Sequence, residues 1–286
     1  MDRAPRTFVM THDLRDRLGK PVAGHKYMHG HALILSGGAG KSGAARLAAR
    51  GALRVGAGLV TLAVPAAALP EVAAQITAIM LRGLHDADDL AAILADARIT
   101  ALCLGPGLGV GDAEARHLGM VLSAARPTVL DADALTLLAH DAQLRRALHD
   151  GCVLTPHDGE FLRLFPECRD DLGHQDGRVA ALRMAAARLG CTVVLKGPGT
   201  LLAGVDGRLW QHPVAADGAM AWLATAGSGD VLAGFMTGLL ARGFPAEAAA
   251  NLGVWLHGQA ARRFGPGLIA EDLPEALPGV FRDLGL

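Results

Sequence analysis

Short apolar runs alternate with longer helical patterns along the chain from about residue 31 onward. Most runs are nearly continuously apolar, which is typical of parallel strands that helices cover on both faces. The predicted strands span residues 31–36, 59–64, 99–104, 128–131, 152–155 and 192–196; the predicted helices span residues 42–55, 87–97, 112–125, 142–149 and 178–189. This alternation predicts an α/β fold with a doubly wound, mainly parallel sheet and helices on both faces.

The C-terminal third of the chain follows a different pattern. Residues 201–204 and 208–212 flank an Asp-Gly turn and predict a β-hairpin. Two long apolar helices are predicted after it, over residues 228–242 and 246–264. Because no linker or repeat interrupts the pattern, we expect one domain over residues 26–286, preceded by a loosely attached arm or helix over residues 1–25.

Composition narrows the class of protein. The 286 residues are 51% hydrophobic but only 4% aromatic, so small aliphatic side chains must fill the core. A net charge of −1 gives no indication of a nucleic-acid or membrane partner. The four cysteines form no CxxC pair, and no stretch resembles a secretory signal or a membrane span. These features predict buried free thiols in a cytoplasmic protein.

The segment Gly227-Ser228-Gly229-Asp230 stands at the predicted start of a long apolar helix. Glycine lets backbone amides approach an anion, and the first amides of a helix lack intrahelical partners and lie at its positive end. The segment therefore predicts a phosphate-binding site, with Asp230 beside it as a base for an acceptor hydroxyl. Helix capping by Ser228 or Asp230 is the structural alternative.

Glycine-rich loops follow two of the predicted strands, at the edge where such sheets bind ligands. Residues 37–45 contain Gly-Lys-Ser but lack the first glycine of a Walker loop, which excludes a P-loop nucleoside triphosphatase. This loop either approaches a ligand closely or only turns the chain, with Ser42 capping the next helix. Residues 105–109, Gly-Pro-Gly-Leu-Gly, form either a structural turn or a floor beneath a sugar or nicotinamide.

Charged residues follow the later strands. Asp131 and Asp133 are suited to binding a hydroxyl or a magnesium-bound water, although Asp133 is equally suited to capping a helix. His157 and Glu160 are three residues apart, so they would share one face if a helix starts there; this spacing does not by itself specify a metal. Lys196 is one of only four lysines. The loop that it opens suits either nucleotide contacts or a β-turn with the lysine reaching solvent.

In chain order, these motifs resemble the ADP-dependent NAD(P)H-hydrate dehydratase family, the carbohydrate-kinase-like YjeF C-terminal domain of the ribokinase-like superfamily. The matching segments are Gly-Gly before Ser-Gly-Ala-Ala, Gly-Pro-Gly-Leu-Gly, Asp-Ala-Asp-Ala-Leu, Thr-Pro-His-x-Gly-Glu, Leu-Lys-Gly and Ala-Thr-Ala-Gly-Ser-Gly-Asp-Val-Leu-Ala-Gly. They extend over about residues 26–265. Each motif alone is weakly specific, but the ordered set is specific, and it implies a ribokinase-like fold.

The resemblance implies roles for the matching positions. Asp230 is the expected catalytic base and also contacts the substrate, together with Ala44, Gly107 and His157. Glu160 is expected to bind a metal ion through water. The expected nucleotide contacts are Lys196, Gly197, Pro198, Gly199, Thr200, Gly227, Ser228 and Gly229.

The resemblance also implies the chemistry. ADP phosphorylates the 6-hydroxyl of hydrated NADH or NADPH, phosphate then leaves, and the products are NAD(P)H, AMP and phosphate. Mg²⁺ is the expected cofactor, because it bridges phosphates and neutralises developing charge. The expected partners are a separate NAD(P)H-hydrate epimerase in the same pathway and further copies of the chain, as a homotetramer.

Two departures distinguish the sequence from sugar kinases of this superfamily. Ala224 stands where such kinases often have Asp, and His157 stands where many have Asn. Both departures favour the dehydratase. The alternative function is a kinase of the same fold acting on a small alcohol, such as a sugar or vitamin precursor. A non-catalytic nucleotide sensor is less consistent with an Asp230 that follows Gly229.

Overall fold

The computed structural model describes residues 4–213 and 218–286, where one sheet organises the chain. Its strands are β1 (Arg6–Thr7), β2 (His31–Leu35), β3 (Leu59–Pro65), β4 (Met80–Leu84), β5 (Ala101–Leu104), β6 (Thr128–Leu130), β7 (Cys152–Leu154), β8 (Thr192–Leu195), β9 (Thr200–Ala203) and β10 (Leu209–His212). Their order is β1-β10-β9-β8-β7-β6-β5-β2-β3-β4. Neighbouring strands are parallel, except that β9 is antiparallel to both β8 and β10.

Helices cover both faces of this sheet. They are α1 (His12–Leu18), α2 (Gly43–Arg54), α3 (Leu69–Ala73), α4 (Ala87–Leu94), α5 (Asp112–Ser123), α6 (Asp133–His140), α7 (Ala142–Arg146), α8 (Asp158–Leu164), α9 (Gln175–Leu189), α10 (Ser228–Ala241), α11 (Ala246–Phe264) and α12 (Asp272–Asp283). Helices α2, α10, α11 and α12 share one apolar core with the sheet, and α4 to α9 share the other. The predicted α/β fold with two helical layers is confirmed.

The strand predictions are close to the observed bounds. All six strands predicted before the hairpin form, each within two residues of its predicted ends, and the hairpin forms from β9 and β10. The sequence analysis missed β1 and β4, which form the two edges of the sheet. It also missed α3 and α12, and it gave no bounds for α6 and α8, although it considered helix starts at Asp133 and His157. Its helix over residues 142–149 ends at Arg146.

Residues 4–25 are attached to the rest of the protein at two places. Strand β1 pairs in parallel with β10. The Arg242 guanidinium at the end of α10 donates to the carbonyl oxygens of Leu18 (2.8 Å) and Gly19 (3.0 Å). The described part of the N-terminal segment contains helix α1, and these contacts attach it to the rest of the protein. Residues 1–3 of that segment lie outside the described residues, and a domain boundary at residue 26 stays a prediction.

The cysteines are free and buried, as their spacing predicted; they are Cys103, Cys152, Cys168 and Cys191. Within residues 4–213 and 218–286, no helix has both the length and the apolar character needed to cross a membrane.

Helix α10 packs closely on α2, backbone against backbone, at Gly234. Gly234 lies against the backbone of Ala48, so that a Cβ on Gly234 would stand 2.1 Å from the Ala48 carbonyl oxygen and 2.7 Å from its Cα. Neither backbone atom moves without displacing a whole helix. The two helices can therefore adopt the observed spacing only because residue 234 is a glycine.

We expect Gly234→Ala to lower the free energy of unfolding by about 3 kcal/mol, because it forces two buried helices apart. Gly119→Ala in α5 is the matched control, since its Cβ would meet only Leu144 at an ordinary 3.6 Å. The control should stabilise the protein by about 0.5–1 kcal/mol through helix propensity. Urea unfolding of both variants measures the difference, and equal effects would contradict the packing argument.

Candidate active site

Helix α10 begins at the carboxyl edge of the sheet without a side-chain cap. The chain turns at Gly227, whose φ of 86° lies in the left-handed region, and Ser228 opens the helix. The Val231 amide donates to the Gly227 carbonyl at 3.1 Å. Gly229 and Asp230 are in the first turn of the helix, where a backbone amide has no helical carbonyl four residues before it. No partner for these two amides is found in the described part of the chain. Two adjacent donors at the positive end of a helix are thus available to an anion.

A buried ion pair lies next to these amides. Lys196 Nζ is 2.8 Å from Asp131 Oδ1, and the Asp131 side chain is only 3% exposed. The same carboxylate oxygen accepts a hydrogen bond from the Thr155 hydroxyl at 2.8 Å. Glu160 Oε2 lies 3.8 Å from the Lys196 ammonium. The ends of β6, β7 and β8 therefore meet at one ammonium group.

The ion pair reaches the start of α10. A Cβ placed on Gly229 would lie 3.5 Å from Lys196 Nζ and 3.9 Å from Asp131 Oδ2. Burial opposes the charge on Lys196, but the carboxylates of Asp131 and Glu160 outweigh it and raise the lysine pKa. The ammonium therefore stays protonated, and it faces the space above the free amides.

Asp230 has the electrostatic properties of a base that works near neutral pH. Its burial, together with the like charge of Asp131, raises the pKa of Asp230 to about 6, although Lys196 opposes this rise. A carboxyl group with this pKa is ionised at neutral pH and is a stronger proton acceptor than an ordinary aspartate. The site thus combines anion donors, a cation and a base.

His157 caps its own helix. Its Nδ1 accepts from the amides of Gly159 (3.0 Å) and Glu160 (3.3 Å), and Glu160 Oε2 accepts from the His157 amide at 2.9 Å. Because Nδ1 accepts, the ring proton of the neutral imidazole is on Nε2. That nitrogen lies 3.5 Å from Glu160 Oε1, and the side chain is half exposed. The capping role is structural, and Glu160 is the residue next to the Nε2 donor.

The first glycine-rich loop is held by Glu71, at the N-terminal end of α3. Glu71 accepts from the Ser42 hydroxyl at 2.6 Å and from the Gly40 amide at 2.9 Å. Ser42 therefore bonds to a carboxylate instead of capping α2 with its side chain. The turn places Ala44 beside Gly107, where the Ala44 Cβ lies 3.5 Å from the position of a Cβ on Gly107. Two positions expected to contact the substrate thus come together.

The second glycine-rich loop is tied to the end of β6. Asp133 Oδ2 accepts from the Gly109 amide at 2.8 Å. Between the two acids, Ala132 has φ 47° and ψ −114°, a backbone conformation that non-glycine residues rarely adopt. Such strain costs on the order of 1–3 kcal/mol and often marks ligand sites. Asp133 thus anchors a loop from the first turn of its helix.

The predicted site residues are brought together in part. Gly229 adjoins Lys196, Asp230 follows Gly229 and interacts electrostatically with Lys196, and Glu160 is next to Lys196. Gly197 and Thr200 form an exposed turn, closed by the Thr200 hydroxyl donating to the Gly197 carbonyl at 3.3 Å. The Lys196 side chain is 20% exposed and paired with Asp131, so it does not extend into solvent. Nucleotide contacts by residues 197–200 stay predictions.

The sequence analysis missed two residues of this region. Glu71 lies about thirty residues after the loop that it binds, and nothing in its local sequence marks it. His257 lies inside α11 and contacts Ser228, with its Nε2 3.0 Å from the Ser228 carbonyl oxygen. A lone histidine in an apolar helix was the available sign of a special environment, but its partner depends on helix packing.

Comparison with known proteins places the chain in a family. The family model described as NAD(P)H-hydrate dehydratase matches residues 32–277. An ADP-dependent (S)-NAD(P)H-hydrate dehydratase of Neisseria meningitidis is 42% identical over 243 residues, covering 83% of this chain and 78% of the relative. The bifunctional NAD(P)H-hydrate repair enzyme Nnr of Moorella thermoacetica is 37% identical over 279 residues, covering 93% of this chain. The chain spans about half the length of that relative, 52%.

Solved structures agree with the sequence comparison. The ADP/ATP-dependent NAD(P)H-hydrate dehydratase of Bacillus subtilis, co-crystallised with ATP and Mg²⁺, superposes with a TM-score of 0.78 and 29% identity, over 95% of this chain and 96% of that one. A ribokinase-like superfamily protein of Enterococcus faecalis has a TM-score of 0.79 at 23% identity, over 98% and 96% of the two chains, and supports the fold alone. From its family match and its relatives, the chain belongs to the NAD(P)H-hydrate dehydratase family.

Proposed function

We propose that this protein is an ADP-dependent dehydratase that converts hydrated NADH or NADPH back to NAD(P)H, releasing AMP and phosphate. The observation that carries the proposal is the position of Asp230, a carboxylate with a raised pKa beside two unpartnered helix-start amides and the Lys196 ammonium. Family membership supplies the substrate class. The arrangement suits transfer of a phosphoryl group to a hydroxyl.

In the proposed reaction, the amides of Gly229 and Asp230 hold the terminal phosphate of ADP. Asp230 accepts the proton of the substrate 6-hydroxyl, whose oxygen bonds to the phosphorus as the bond to AMP breaks. Lys196 stabilises the negative charge that builds up on the transferred group. Loss of the phosphate from the ring carbon, with a neighbouring ring proton, restores the double bond of NAD(P)H. Asp230 thus acts only while it is ionised.

Mg²⁺ is proposed as the cofactor. Mg²⁺ usually keeps several waters and takes one or two carboxylates together with substrate phosphates. The residues present fit this coordination: Asp131 and Glu160 are carboxylates next to the anion site. Because the Lys196 ammonium lies next to both, we propose that they would contact the ion through water. Among the described residues, no cluster of three or more metal-binding side chains forms an all-protein cage. When bound, the ion would neutralise charge on the phosphates.

The setting of the reaction is also a proposal. We propose that the protein acts in the cytoplasm, for which four buried free thiols are favourable evidence. A homotetramer and an NAD(P)H-hydrate epimerase acting in the same pathway are the proposed partners, on the basis of family membership. Ala44, Gly107 and His157 are the proposed further contacts to the hydrated nicotinamide nucleotide.

We expect Asp230→Asn to lower turnover of hydrated NADH by about 10²–10⁴-fold, because the amide cannot accept the hydroxyl proton. ADP binding should stay close to that of the unaltered protein, since the backbone amides remain. The return of reduced-nicotinamide absorbance measures turnover, and calorimetry measures ADP binding. Asp150→Asn, at an exposed turn, is the control and should be fully active. Phosphate transfer to a small alcohol without recovery of NAD(P)H would instead support the kinase alternative.

The pH dependence gives a second test. Asp230 must be ionised to act, so kcat should fall below about pH 6 rather than near the ordinary aspartate value of 3.8. Asp131→Asn should shift this acid limb to lower pH, because it removes a like charge that raises the pKa of Asp230. Thr155→Val is the matched control: it removes a hydrogen bond to Asp131 but leaves both charges, so the limb should stay in place. A limb unmoved by Asp131→Asn would contradict this account of Asp230.

A further inference from the structure

His257 of α11 is directed at the start of α10. Its Nε2 lies 3.0 Å from the Ser228 carbonyl oxygen and 3.2 Å from the Ser228 hydroxyl oxygen. The ring packs edge-on to Phe235, with the centroids 6.1 Å apart and the planes at 78°. The residue is buried, at 7% exposure. A polar ring is thus fixed in an apolar layer, with both oxygens of Ser228 beside one nitrogen.

The partners determine the protonation state of this ring. Burial lowers the pKa of His257 to about 4, although the Ser228 backbone opposes this, so the imidazole is neutral at physiological pH. A carbonyl oxygen only accepts, so the Nε2 must carry the proton and donate it. The single N–H is therefore shared between the carbonyl and hydroxyl oxygens of Ser228. Because the ring carries no charge, its effect on a bound phosphate is geometric.

Helix α10 has no side-chain cap because its N-cap residue is Gly227. Ser228 is the first residue of the helix, and its hydroxyl lies against His257. The amides of Gly229 and Asp230 therefore stay available. Ser228 is therefore held by α11, which belongs neither to the turn at the start of α10 nor to the loops at the strand ends.

We propose that His257 is a positioning residue for the nucleotide phosphates: by holding Ser228 from α11, it fixes the Gly229 and Asp230 amides in an uncapped, anion-ready arrangement. This inference rests on the proposed nucleotide site at α10. It requires only that the phosphates bind at these amides, and it is independent of which acceptor the phosphoryl group reaches. It adds to the site a residue that no motif at the strand ends contains.

The test compares two replacements of one side chain. His257→Leu removes the donor and keeps an apolar side chain, whereas His257→Gln keeps an amide N–H on a side chain of similar reach. We expect His257→Leu to raise the Kd for ADP and the KM for ADP by about tenfold, the value of roughly one hydrogen bond. His257→Gln should recover most of this loss. A melting temperature recorded for each variant separates binding from stability.

Ser228→Ala provides a smaller change at the other partner. It removes only the hydroxyl contact, so we expect the Kd for ADP to rise by about threefold, a fraction of one hydrogen bond. Combined with His257→Leu, it should add little to the loss, because both changes act through the same contact. Additive losses in the double variant would show that the two residues act independently. If His257→Leu does not fold, His257→Gln and Ser228→Ala still give the comparison.

Three outcomes would overturn the proposal: ADP affinity unchanged in His257→Leu, losses of equal size in the Leu and Gln variants, or a lowered melting temperature without any change in Kd. The binding measurement uses ADP alone and needs no hydrated NADH. A protein that binds ADP but does not regenerate NAD(P)H would therefore refute the proposed dehydratase and leave the role of His257 standing.

Discussion

The ion pair between Lys196 and Asp131 is the interaction on which the proposed site depends. It joins the end of β8 to the end of β6 at 2.8 Å, and through Thr155 it includes the end of β7. Burying a charge is costly unless it is paired. The pair is therefore confined to its observed position, next to Gly229, where the ammonium serves an anion and the carboxylate raises the pKa of Asp230. This one ion pair therefore places a positive charge at the proposed phosphate site and raises the pKa of the proposed base.

The close packing of α10 on α2 holds in place the helix that carries the free amides. Gly234 lets the two helices approach closely, and at its N-terminal end the same helix adjoins Lys196 and Asp131 at Gly229. Anion binding by backbone amides depends on such placement, because the amides are fixed to the helix axis and cannot adjust as a side chain would. The apolar packing of α10 on α2 therefore also positions the backbone amides of the polar site.

The sequence was sufficient for the central strands and for the order of the motifs, since buried parallel strands are recognisable as apolar runs. It failed at β4, an edge strand in which Arg82 and Gly83 interrupt the apolar pattern. It gave no bounds for α6 and α8, because both begin inside motifs, at Asp133 and Asp158, whose residues also suit a binding loop. Contacts such as that of Glu71 with Ser42 depend on tertiary packing, and local patterns contain no information about them.

The link from Glu71 to the first glycine-rich loop has a consequence for how acid affects this protein. Hydrogen bonds from Ser42 and Gly40 lower the pKa of Glu71 below its usual 4.5. Glu71 therefore stays ionised, and keeps these two hydrogen bonds, at the pH of about 6 near which Asp230 gains its proton. Acidification to that pH neutralises Asp230 but leaves the first glycine-rich loop bound to Glu71.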